Sequence, residues 1–148
     1  MSLAKFQRYT RLMLGGAATI LVVMASLHGT GFAEIDAHLL HAPMPEIWRN
    51  AVRVVWIMYA AHLLLIAAIL AYAALTHATV PGPVLMVCAV VPALDALLML
   101  FYVGGFIGTL ILGLASALVF GAVARRNMPA HEDPAAHSGI GHDRGSRG

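Results

Sequence analysis

Charge is what this sequence has least of. Only 11% of its 148 residues are Asp, Glu, Lys or Arg, against 60% hydrophobic, and the mean hydropathy is +0.82. A soluble domain of this size needs a polar shell, which such a chain cannot supply over most of its length. Cysteine is nearly absent as well. Cys88 stands alone inside an apolar run, which excludes a disulfide framework and a thiolate metal site. No Gly-rich phosphate loop, HExxH, nucleophile elbow or CxxC occurs. Basic patches interleaved with aromatics are missing too, so nucleic acid is not an expected partner.

What is present is apolar sequence in runs long enough to cross a bilayer, which takes about 20 helical residues. Four spans are predicted, over about 12–32, 51–75, 84–103 and 107–124. The breaker Pro81-Gly82-Pro83 precedes the third span. Residues 84–124 form one apolar tract too long for a single crossing, and Gly104, Gly105 and Gly108 supply the tight turn that folds it into a hairpin. The first run follows a basic stretch, as in a signal peptide, but it ends in LHGTGF without a small-residue cleavage pattern, so it is predicted to remain as a signal-anchor helix. Residues 127–148 are rich in Pro, Gly, His and Ser and are expected to be a disordered tail.

Lys and Arg set the orientation. Lys5, Arg8 and Arg11 flank the first span, and Arg125 and Arg126 flank the last. An even number of spans puts both ends on one side, and both ends are basic, so both termini are predicted to be cytoplasmic, in a bacterial inner membrane. The connection 33–50 then faces outward. It carries Ile35, Leu39 and Leu40 at helical spacing, which suits a short interfacial helix or a loop that dips into its own bundle. Trp48 and Trp56 are expected as aromatic-belt anchors near the outer end of the second span.

One residue breaks the apolar pattern. Asp95 lies within the third span and is the single acid between Glu46 and Glu132. A carboxylate at membrane depth is costly and usually faces protein, water or a partner. It sits eight residues before the outer end of its span, about 12 Å in at 1.5 Å per residue. His62, His28 and Arg53 also fall in the outer half, on the second, first and second spans. Tyr102 is seven residues after Asp95 and Cys88 seven before, so the three share nearly one helix face. The candidate polar pocket is therefore Asp95, His62, His28, Arg53 and Tyr102, with Asp95 as acid, base or cation-binding group and His62 or Arg53 as its partner. The competing reading is a single interhelical hydrogen bond or ion pair that fixes the packing.

Other features point less far. His28 and His62 could offer axial imidazoles to a haem, but their depths differ by roughly 10 Å, which fits one iron poorly. No cofactor and no metal site are expected. His38 and His41 read as solvated loop histidines. Gly113, Ala117 and Gly121 form a small-xxx-small ridge that lets a second helix approach closely, either the third span or another copy.

The expected fold is an all-α integral membrane protein, a four-helix transmembrane bundle with a short outward interfacial segment between spans one and two. The expected partners are the bilayer and, through the ridge, other membrane subunits or a second copy of the chain. Small size and short turns favour a non-catalytic accessory or assembly subunit of a larger membrane complex. The alternative is a transporter or membrane enzyme that acts on a lipid or apolar small molecule through the cluster centred on Asp95.

Overall fold

The computed structural model describes residues 3–76 and 80–126. The described chain is all helix and turn, with no strand: α1 Leu3–Thr30, α2 Phe32–His41, α3 Glu46–Leu75, α4 Gly82–Tyr102 and α5 Ile107–Arg126. Four segments, Gln7–His41, Glu46–Leu75, Gly82–Tyr102 and Ile107–Arg126, are long and apolar enough to cross a membrane. The tail expected over 127–148 lies outside the described residues.

Helix ends follow proline placement and helix propensity more closely than hydropathy. α1 starts well before the apolar run because Lys5, Gln7, Arg8 and Arg11 are good helix formers that extend it through the basic stretch. α3 starts at Glu46, directly after Pro45, with the acid placed where the positive end of the helix dipole favours it. α4 starts just after Pro81, and Pro83 falls in its first turn, where a missing N–H costs no hydrogen bond. Between α4 and α5 the backbone turns through Gly104, whose φ of +96° would strain any residue with a Cβ.

α1 is the axis of the bundle. It packs along α3 on one side and α5 on the other, and α5 in turn packs against α4. α3 and α4 touch only briefly, so the ring α3–α1–α5–α4 is left open along its α3–α4 seam. Ala17, Ala18 and Ala25 of α1 and Ala115 and Ala122 of α5 are buried, and their small side chains let the backbones close up. Larger side chains, Leu21, Leu63, Leu70, Leu85 and Leu112, fill the spaces that remain, each fully buried. Across the α4–α5 contact the buried Ser116 hydroxyl donates to the Ala89 carbonyl at 2.7 Å.

The buried face of α5 carries Thr109, Leu112, Ala115, Ser116, Val119, Ala122 and Val123. The small-residue ridge lies off that face. Ala117 is exposed, a Cβ on Gly113 would meet open space, and Gly121 lies against the Met13 side chain of α1.

The basic flanks gather at one end of the molecule. Arg11 donates to the Thr76 carbonyl at 2.9 Å, and Arg126 donates to the Val80 carbonyl at 3.0 Å. Arg125 sits over the Tyr9 ring, 5.8 Å from its centre. The start of α1, the end of α3, the start of α4 and the end of α5 are therefore neighbours, as an up-down bundle requires.

Candidate functional site

His62 of α3 and Asp95 of α4 meet across the open seam. The His62 Nε2–H donates to Asp95 Oδ2 at 2.9 Å. The carboxylate side chain keeps 17% of its surface exposed and the imidazole 33%, so the pair is half-buried rather than sealed. Below it runs a groove of about 510 Å³, walled by Leu65 and Ile69 of α3 and by Val84, Val87 and Val91 of α4, with the buried Cys88 beside them. Helical spacing explains the composition. From His62, steps of three, four and seven stay on one face of α3, and from Asp95, steps back of four, seven and eleven do the same on α4. Pro92 lies within this stretch of α4, and its missing N–H leaves the Cys88 carbonyl without its usual partner in the helix ladder.

A row of rings leads from the pair to α1. The Tyr59 ring stands edge-on to His62 at 4.9 Å and tilted against His28 at 4.7 Å, and its hydroxyl donates to the Met99 sulfur at 3.8 Å. His28 stacks on Trp56 at 3.9 Å with an interplanar angle of 18°. The two are also joined reciprocally: the His28 Nε2–H donates to the Trp56 carbonyl at 3.1 Å, and the Trp56 indole N–H donates to the His28 carbonyl at 3.0 Å. Gly31 makes room for this lock, because a Cβ there would come within 3.4 Å of the Trp56 ring. Tyr59 is not among the site residues expected from the sequence, in which, like Trp56, it reads as an aromatic-belt residue of the second span. The signal was its spacing, three residues from both Trp56 and His62 on α3.

The structure brings together Asp95, His62 and, through Tyr59, His28. Arg53 is elsewhere. Its Nε–H donates to Asp36 of α2 and its Nη1 to Asn50 Oδ1 at 3.0 Å, so its charge is taken up near the N-terminal end of α3. Tyr102, on the face of α4 that carries Cys88 and Asp95, is 78% exposed and stands edge-on to Phe101. Burial along that one stripe falls from Cys88 to Tyr102, so α4 loses its neighbours towards its C-terminal end. Trp48 is exposed at the start of α3, whereas Trp56 is half-buried against His28.

The Arg53–Asp36 pair is the main polar tie between α2 and α3. Both side chains are about a third exposed, and such pairs contribute about 0.2–1 kcal/mol. Arg53→Ala is therefore expected to leave the unfolding of the four long helices almost unchanged while loosening α2. Amide hydrogen exchange should show faster exchange confined to Phe32–His41; protection unchanged there would show that apolar contacts such as buried Leu39 hold α2 alone.

Chemically the pair is a hydrogen-bonded acid and base at the head of an apolar channel. The Nε2 atoms of both imidazoles are already engaged, His28 on a carbonyl and His62 on Asp95. Among the described residues no three His, Cys, Asp or Glu side chains converge as a metal site would need. His38 turns its Nδ1 onto the Glu34 carbonyl at 2.8 Å, within its own helix. Comparison with protein-family models, curated proteins and solved structures finds no match for the chain. The class defined by the fold is that of a helical bundle with four potential membrane spans.

Proposed function

We propose that this chain is a small inner-membrane protein, with both termini cytoplasmic, that binds a lipid or other apolar small molecule between α3 and α4 as a transporter or membrane enzyme does. The observation that carries the reading is the position of His62 and Asp95 at the head of an apolar groove. A polar pair kept only to hold helices together is better sealed within the core, where Ser116 and Ala89 meet. This pair lies on the seam where the helices part. Ligand sites are mostly apolar, with a few convergent polar groups that fix orientation, and the groove has that composition. The gathering of Arg11, Arg125 and Arg126 at one end supports the cytoplasmic placement of both termini.

A second reading, a non-catalytic accessory or assembly subunit of a larger membrane complex, is favoured by the same open seam. The brief contact of α3 with α4 leaves a strip of membrane-facing surface for a neighbouring subunit. Gentle detergent extraction followed by native mass spectrometry separates the two. Recovery of the protein with a bound small molecule of defined mass is the expected result. A stable larger assembly, carrying no such molecule, would favour the subunit reading.

A further inference from the structure

We infer that the guest of the α3–α4 groove is an uncharged, single-tailed amphiphile whose head carries a hydroxyl. The inference rests on the reading that the groove binds an apolar molecule, and it names the kind. Three observations lead to it: the depth of the pair, its charge surroundings and the length of the groove.

Asp95 lies seven residues before the end of α4, roughly 10 Å below it at 1.5 Å per residue. Phosphate and ammonium headgroups stay at the membrane surface, because charge is costly at depth. A head that reaches Asp95 is one that can sink below that plane, as neutral hydroxyl-bearing lipids do.

The charge around the pair points the same way. Arg53, which could have balanced Asp95, is held by Asp36. His28 is held by Trp56. With no other cation on it among the described contacts, the His62–Asp95 unit is least costly when it is neutral as a whole. An anionic head would meet the carboxylate, and a cationic head would displace His62 from its partner. A hydroxyl does neither. It donates to Asp95 Oδ1, the carboxylate oxygen that His62 does not engage.

The length of the groove sets the tail. From Asp95 down to Val84 it spans eleven residues, about 16 Å. A saturated chain built from ~1.5 Å bonds advances roughly 1.25 Å per carbon and fills the length with about a dozen carbons.

Three probes with one tail test this: tetradecanol, tetradecyl phosphate and tetradecyltrimethylammonium. Each is titrated against the purified full-length protein in detergent, and adducts are counted by native mass spectrometry. Tetradecanol is expected to form a one-to-one adduct, with the two charged probes at least tenfold weaker. Asp95→Asn keeps an acceptor for His62 but replaces the charge-assisted bond from the hydroxyl to the carboxylate with a neutral one of reversed direction, and tetradecanol binding should fall about tenfold. Val87→Trp narrows the channel from an exposed position and should abolish the adduct without touching the pair. Leu65→Trp does the same from α3 and stands in if the first variant unfolds. Tighter binding of the ammonium probe, or indifference of the alcohol to Asp95→Asn, overturns the inference but leaves the groove as a site. Failure of all three probes to bind defeats the groove reading itself.

Discussion

Replacing Asp95 with leucine is expected to abolish binding in the α3–α4 groove while the bundle still folds. The pair is one interhelical hydrogen bond, and such bonds between membrane helices contribute about 0.6 kcal/mol on average and at most about 1.7. A loss of that size is small beside the packing of α1 against α3 and α5, which does not involve Asp95. The ligand has no such reserve. With leucine at position 95 the groove keeps its apolar walls but has no acceptor at its head, and His62 loses its only described hydrogen-bond partner. Asp95→Asn refines the test. Its amide oxygen can still accept from His62, so it should unfold like the parent yet bind weakly. If Asp95 served only to hold the helices together, the order would reverse: Asp95→Asn would be silent in every assay, and Asp95→Leu would destabilise by much more than one hydrogen bond. Unfolding in mixed micelles, measured beside ligand binding for both variants, separates the two.

The largest effect on stability is expected at Leu21. This side chain is fully buried in the C-terminal half of α1, the helix that joins α3 to α5. Removing a buried leucine from a soluble core costs about 2–5 kcal/mol, part from lost transfer to an apolar medium and part from the cavity. In a bilayer the first part largely vanishes, because lipid tails are as apolar as leucine. The cavity and its lost dispersion contacts remain. Leu21→Ala should therefore cost about 2 kcal/mol, at the lower end of that range. Leu97, 60% exposed on α4, is the control. Leu97→Ala should change unfolding by less than about 0.5 kcal/mol. Equal effects at the two positions would mean that α1 is not the packing axis of the bundle.

The sequence made positions along helices legible and positions around them much less so. Run length and breakers locate the four apolar helices, and the break at Pro81 and the turn at Gly104 fall where Pro and Gly occur. The rise per residue put His62 and Asp95 in the same half of their spans, and they do meet. Depth alone also grouped Arg53 with Asp95. That pairing depended on where α2 folds back, and α2 brings Asp36 to the arginine first. Tyr102 shares a face with Asp95, but a shared face gives burial only where a neighbouring helix continues alongside, and here it does not. The ridge of Gly113, Ala117 and Gly121 has small residues at the right spacing, yet α5 buries the adjacent face, where Ser116 has a carbonyl to bond. The lock between His28 and Trp56 depends on α1 lying beside α3, a fact of helix order that no single-span pattern encodes.

A photoreactive phenylalanine analogue placed at position 87, in cells making the full-length chain, tests the groove most directly. Val87 lines the groove from α4, and Leu114, exposed on α5 and absent from the groove walls, is the control position. After illumination in native membranes, the crosslinked products are weighed. The predicted result is one low-mass, single-tailed species enriched at position 87 over position 114, and lost when Asp95 is also changed to leucine. Capture of another polypeptide at position 87, or the same mixture of phospholipids at both positions, would contradict it.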